Sequence, residues 1–149
     1  IAISSTKIRN SINQGDLKTT KKYLGRFFKL TGKVVKGDGL GKQIDYPTAN
    51  ILIEEDYKII PKDGVYYIRT TIDNKLYNGM MNIGHRPTIG NKAKSIEVNL
   101  FNFDRDIYDK VISVDVVVKI RDEKKFSSIN ALKAQLAKDE EHCLKLINK

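Results

Sequence analysis

The chain has 149 residues, enough for one domain with a real core, and its 40% apolar and 30% charged residues are the balance of an ordinary globular protein. No apolar run approaches the roughly 20 residues of a membrane-spanning helix, no signal-peptide pattern opens the sequence, and one cysteine with two histidines excludes an internal disulfide and a zinc cage, so a cytoplasmic location is expected. The net charge of +9, from 27 Lys and Arg against 18 Asp and Glu, favours anionic ligands, while lysines scattered without an arginine-rich stripe argue against a nucleic-acid groove.

The opening segment reads as a helix capped by Ser4 or Ser5, with Ile8 and Ile12 on one face and Gly15 as its stop. Asp16 caps a second short helix through Leu24, which Gly25 ends. From Phe27 the hydrophobic period changes to two. Gly37-Asp38-Gly39-Leu40-Gly41-Lys42 is a flexible run, and Pro47 then pushes Tyr46 into extended backbone, so a strand should start with Thr48 and Asn50 on one face and Ala49 on the other.

Tyr66, Ile68, Thr70 and Ile72 alternate with Val65, Tyr67, Arg69 and Thr71, and Asp73-Asn74-Lys75 fits a tight hairpin. The polar run Asn82-Ile83-Gly84-His85-Arg86-Pro87-Thr88 reads as a loop suited to a lid or a wall. In the strand from Ser95 to Phe101, Ile96, Val98 and Leu100 form a core face and leave Glu97 and Asn99 on the other. Asp104-Arg105-Asp106 is a second turn, after which Ile112, Val114, Val116, Val118 and Ile120 alternate with polar positions. Ser127 or Ser128 caps a terminal helix whose stripe of Ile129, Leu132, Leu136, Cys143, Leu144 and Ile147 packs on the sheet, with Cys143 a buried structural thiol. Five or six half-buried antiparallel strands followed by one helix predict a mainly β, closed or nearly closed small barrel.

Read for chemistry, the glycine run lets backbone N–H groups approach an anion, and the Thr48 hydroxyl suits a magnesium ion bridging the same phosphates. By periodicity alone Glu97 is a solvent-facing carboxylate. His85 is a weak acid/base candidate, and Arg86 a weak phosphate contact.

Four ordered motifs carry a resemblance: Gly32-Lys33-Val34-Val35 through Ile51; Gly64-Val65-Tyr66 with Gly79 through Thr88; Ile96-Glu97-Val98-Asn99-Leu100 with Phe103 and Tyr108; and Arg121-Asp122-Glu123-Lys124-Lys125-Phe126 opening into the last helix. Over roughly residues 26 to 147 the chain resembles the riboflavin kinase domain of bacterial bifunctional FAD synthetases. That resemblance implies a small Greek-key barrel with a C-terminal helix that phosphorylates riboflavin with ATP and Mg²⁺ to give FMN. It implies Glu97 as general base for the ribityl hydroxyl, Thr48 and Asn50 as metal and nucleotide ligands, and Gly37, Gly39, Gly41 and Lys42 closing over the nucleotide. Arg121, Phe126, Tyr108 and Leu136 are the implied flavin contacts. Residues 1–25 are then a helical remnant or linker from an adenylyltransferase half, the expected partner domain, and residues 26–149 the kinase-like barrel; no adenylyltransferase activity is expected of this chain. Three positions depart from the family pattern: Leu40 stands where arginine is usual, and Asp45 and Asp109 where glycine is usual. Leu40 and Asp45 favour the alternative reading, a non-catalytic flavin- or RNA-binding module.

Overall fold

The computed structural model describes residues 5–36, 48–53, 59–88 and 91–147. α1 (Ser5–Asn13) stops where Gly15 turns to φ 74°, a left-handed conformation open to glycine without steric cost. Asp16 caps α2 (Leu17–Leu24) by accepting the Thr19 backbone N–H at 3.2 Å, and Gly25 ends it at φ 75° with its own N–H on the Lys21 carbonyl. Both caps are those the sequence predicts. Leu17, the first residue of α2, is buried and packs with the core of the barrel.

Six strands come next: β1 (Phe28–Val35), β2 (Ala49–Leu52), β3 (Gly64–Ile72), β4 (Lys75–Thr88), β5 (Asn91–Leu100) and β6 (Val111–Arg121), and then α3 (Ile129–Ile147). They close into an antiparallel barrel in the order β1-β2-β5-β4-β3-β6, with β6 returning to β1. Strands β3, β4 and β5 form consecutive hairpins and β6 returns beside β3, which is Greek-key connectivity. The barrel interior is filled by residues such as Val34, Ile51, Tyr66, Met81, Val98 and Val114. A second apolar cluster lies on the outer face, where Val65, Tyr67 and Met80 meet Leu136 and Cys143 of α3. No helix among the described residues is long and apolar enough to cross a membrane.

Several local expectations are corrected. The polar run at residues 82–88 is not a loop: β4 continues through it, paired with β5 from Gly79 opposite Leu100 to Thr88 opposite Asn91. Its polarity marks an outward sheet face, because Met81 and Ile83 point inward on either side of Asn82. In β6 the alternation slips twice, since Val65 opposes Arg121, Tyr66 opposes Lys119, Tyr67 opposes Val118 and Ile68 opposes Val116. Each extra residue reverses the facing of the strand beyond it, so Val118 and Ile120 join the outer cluster beneath α3 while Ile112, Val114 and Val116 stay inside.

Asp73 and Asn74, at φ 51° and 66°, make the expected two-residue hairpin turn between Ile72 and Lys75. The second turn is not centred on residues 104–106; the chain reverses at Asn102 (φ 55°) and Asp109 (φ 68°) instead. Asp109 stands where the resemblance expects glycine because aspartate tolerates the left-handed region. Ser128 is the helix cap, its Oγ accepting the Ala131 N–H at 3.1 Å. The buried face of α3 runs through Leu136, Asp139, Cys143 and Ile147, whereas Ile129 and Leu144 are 52% and 43% exposed. One residue past Cys143 turns Leu144 about 100° away from the barrel.

Candidate active site

Register builds the site. On β2, Ala49 packs inward and Asn50 outward; Asn50 stands directly opposite Glu97 of β5, and Glu97 directly opposite Asn82 of β4. The same cross-strand row continues through Val65 to Arg121, and on the other side reaches Val35 of β1. Paired residues share a sheet face and neighbouring strands lie about 4.8 Å apart, so an amide, a carboxylate and a second amide stand side by side on the outer wall. Asn50 Oδ1 is buried and has no hydrogen-bond partner among the described residues. A buried carbonyl oxygen left in this state costs free energy, which a cation or donor brought by a ligand would recover.

A cleft of about 460 Å³ opens between the start of β2 and the β5–β6 connection, where Thr48, Phe103, Asp104, Arg105, Asp106 and Tyr108 join the inward-facing Ala49 and Val98 in its lining. Phe103 meets Tyr77 edge-on with ring centroids 4.8 Å apart, Lys36 lies over the Tyr108 ring, and Arg105 is tied to Asp73 at 2.8 Å. The cleft is therefore walled by aromatic rings, with Arg105 flanked by Asp104 and Asp106 in its lining.

The other end of the row lies under α3. Arg121 donates through Nε and Nη2 to the buried carboxylate of Asp139 at 2.8–3.0 Å, and through Nη1 to the Asp122 carbonyl. Gln135 supplies a further hydrogen bond to Asp139, and the Phe126 ring lies 5.8 Å from the Arg121 guanidinium. Most of the Arg121 donors are thus spent fastening the helix and the adjoining loop. Leu136 packs in the outer apolar cluster.

Of the residues expected from sequence, Asn50 and Glu97 stand opposite each other in register, and Thr48 and Tyr108 both line the cleft. Arg121, Phe126 and Leu136 form a separate group three strands from Glu97 along the row. Gly37, Gly39, Leu40, Gly41, Lys42 and Asp45 lie outside the described residues. His85, paired with Lys94 in register, contacts Asp63 through Nδ1, and Lys94 Nζ lies 3.5 Å from the other Asp63 oxygen.

Two residues of the site were not assigned from sequence: Asn82, whose polar surroundings read as a loop, and Glu123, which lies in the Arg121–Phe126 motif without a role of its own. Glu123 leans back over β4: a Cβ placed on Gly84 would come within 2.5 Å of its Oε2 and 3.9 Å of Asn82 Oδ1, so both side chains reach over that glycine. Burial holds its carboxyl above the usual carboxylate range, with Asp63 and Glu97 adding to the effect and Asn82 and Arg121 opposing it.

Among the described residues no cluster of three or more His, Cys, Asp or Glu side chains could hold a metal ion. The oxygen-bearing side chains at this point of the sheet are Asn50 and Glu97, which face each other in register, and Thr48, two residues before Asn50. These hard, sparse donors suit Mg²⁺, which keeps water and phosphate oxygens among its ligands, and they do not suit a softer ion.

Comparison with known proteins identifies the family. The riboflavin kinase (flavokinase) family model matches residues 24–147. The bifunctional riboflavin kinase/FMN adenylyltransferase of Bacillus subtilis is 37% identical over 96% of this chain and 46% of its own length. That of Haemophilus influenzae is 39% identical over 93% of this chain and 45% of its own. The chain therefore spans about half the length of the curated relatives it matches. Among solved structures, a protein named as a macrolide-efflux protein from Streptococcus pneumoniae superposes with a TM-score of 0.87 at 39% identity, covering 93% of this chain and 45% of that one. The riboflavin kinase of Trypanosoma brucei superposes with a TM-score of 0.57 at 25% identity, covering 83% of this chain and 82% of that one. The efflux name stands apart, while the family model, the bifunctional relatives and the trypanosomal enzyme agree: this chain belongs to the riboflavin kinase family.

Proposed function

We propose that the chain transfers the γ-phosphoryl group of ATP to the ribityl 5′-hydroxyl of riboflavin, giving FMN and ADP. The observation that carries this reading is the Asn50–Glu97–Asn82 row with its unpartnered amide oxygen, set beside the Thr48 cleft. Phosphoryl transfer asks little covalent chemistry of a protein; it asks for a clamp, charge neutralisation and a base near the hydroxyl. Glu97 takes the hydroxyl proton as the ribityl oxygen bonds to the γ-phosphorus and the bond to the β-phosphate oxygen breaks, a role requiring about 2.6–3.2 Å between carboxylate and hydroxyl. Thr48 and Asn50 are the side chains that would hold Mg²⁺, which supplies charge neutralisation on the phosphates when bound.

The aromatic cleft next to Thr48 receives the nucleotide, so Tyr108 serves that end rather than the flavin. Gly37, Gly39, Gly41 and Lys42 belong to the connection that leaves β1 after Val35 and returns to β2 beside Asn50, and they close on the phosphates. Arg121, Phe126 and Leu136 border the flavin end, about 14 Å along the sheet from Glu97 at one strand spacing per step. A ribityl chain with its fused rings covers that span. In this reading residues 26–149 are the catalytic unit, residues 1–25 join it to an adenylyltransferase portion such as the bifunctional relatives are named for, and the work is done in the cytoplasm.

The test is incubation with riboflavin, ATP and Mg²⁺, and then chromatographic separation of the flavins with fluorescence detection. FMN that disappears when Mg²⁺ is withheld, and is not made by Glu97→Gln although that variant still binds flavin, supports the reading. Flavin binding without turnover in the unmodified protein would point instead to a binding module.

A further inference from the structure

Glu123 is a carboxylate near enough to Glu97 for their charges to interact, the proposed reaction gives it no task, and its position is set from three sides. Arg121, two residues earlier, is fastened to Asp139 of α3 and to the Asp122 carbonyl, which fixes the start of the segment after β6. That segment then turns the Glu123 side chain back over the outer face of β4. It lands above Gly84, where any side chain would collide with it: a Cβ there would lie 2.5 Å from Glu123 Oε2. Gly84 is not among the residues with positive φ, so its backbone conformation does not call for glycine; a Cβ there would instead displace the end of the Glu123 side chain. Finally, the Asn82 side chain reaches over the same glycine, its Oδ1 3.9 Å from that Cβ, which brings its amide beside the Glu123 carboxylate, and Asn82 is the direct cross-strand neighbour of Glu97.

We infer that Glu123 is a positioning residue for Glu97, acting through Asn82, and that Gly84 is the cradle that admits it. An asparagine amide next to a carboxylate can present either its nitrogen, which donates, or its oxygen, which repels. By accepting one Asn82 N–H, Glu123 fixes the plane of that amide with its nitrogen toward the carboxylates, so that the polar wall beside Glu97 attracts the charged base. Asn50 forms the opposite wall of the same row. The base is thereby held between two oriented amides, and loss of that orientation misplaces it relative to the ribityl hydroxyl without removing any substrate contact.

The inference rests on the kinase reading with Glu97 as base, and the experiment separates the two. FMN formation is measured on the intact protein for Glu97→Gln, Glu123→Ala, Glu123→Gln, Gly84→Ala and the Gly84→Ala/Glu123→Ala double variant, with melting temperature recorded for each. The expected result is that Glu123→Ala lowers kcat on the order of 10- to 100-fold, the cost of a misplaced catalytic group, while KM for riboflavin and for ATP stays within about twofold, the pattern of an interaction expressed in the transition state. Glu123→Gln, whose amide oxygen still accepts from Asn82, recovers most of the activity. Gly84→Ala reproduces the loss on its own but adds nothing to Glu123→Ala, because it acts by evicting Glu123. Unchanged kcat in Glu123→Ala, a loss expressed in KM, or additive effects of the two substitutions would each overturn the inference. If Glu97→Gln itself keeps full activity, the kinase reading of Glu97 has failed and this inference goes with it.

Discussion

Arg121 at the end of β6 and Asp139 in the middle of α3 form a bidentate ion pair across 18 residues of sequence, with Asp139 only 3% exposed. Asp139 sits in the row of α3 that otherwise carries Leu136 and Cys143, so the helix is attached to the barrel by apolar packing and one buried charge pair together. The pair couples the fold to the site, because the same arginine anchors the segment that bears Glu123 and Phe126.

Removing one partner of that pair leaves the other charge buried alone. Asp139→Ala is expected to destabilise the protein by about 3–5 kcal/mol, seen as a lower denaturant midpoint. The Arg121→Leu/Asp139→Leu double variant should cost less than Asp139→Ala, since no charge is then stranded. Equal or greater loss in the double variant would show that the ion pair itself, and not the stranding of one charge, accounts for the cost.

Asn50 presents the opposite balance. Its buried oxygen has no hydrogen-bond partner among the described residues, so Asn50→Ala should leave the unliganded melting temperature unchanged or slightly raised. The same substitution should lower kcat/KM by on the order of 100-fold or more, as loss of one preorganised electrostatic group does, and should abolish the thermal stabilisation that ADP with Mg²⁺ confers. Chelation of Mg²⁺ should remove that stabilisation from the unmodified protein as well. A large fall in unliganded stability would mean that Asn50 is structural.

Glu123 makes stability depend on pH in a definite direction. Its carboxyl is raised in the folded state, chiefly by burial, so the folded protein binds that proton more tightly than the unfolded chain does. The contribution is therefore fully present below the ordinary glutamate range, about pH 4, and is lost as pH rises through the raised value. Comparison with Glu123→Gln isolates it: the stability difference should shift in favour of the variant between about pH 4 and pH 7. A difference independent of pH would mean that Glu123 is solvated like any surface carboxylate.

Cys143 lies fully buried on the barrel-facing side of α3, and burial pushes its thiol up to about 12, with Asp139 and Glu140 adding to the effect. Since the thiolate is the reactive form, a thiol reagent at about pH 8 should leave the native protein unlabelled and react stoichiometrically once denaturant is added. Labelling of native protein at the rate of a free thiol would show that α3 detaches readily.

Much of this molecule is legible in local sequence. The caps at Asp16 and Gly25, the Asp73-Asn74 turn, the outward facing of Glu97 and the burial of Cys143 depend on residues within a few positions of one another, where steric preference and period suffice. The misreadings fall where local pattern and long-range pairing disagree. Asn82 to Thr88 has the composition of a loop yet is a strand, because β5 offers it a complete set of backbone partners. Val118 and Ile120 continue an unbroken alternation in sequence, yet two slips against β3 carry them to the outer face under α3.

Sequence by itself thus determined that the chain is a small barrel with a terminal helix, and which side of its strand Glu97 occupies. Only the tertiary structure decided what stands next to Glu97. Its neighbours Asn50 and Asn82 are 47 and 15 residues away in sequence and are brought beside it by the register of three strands, while Glu123 arrives through the Arg121–Asp139 pair and the gap left by Gly84. The physical reason is that the facing of a side chain is set by two-residue periodicity within one strand, whereas its neighbours are set by hydrogen-bond register between strands, which no single segment encodes.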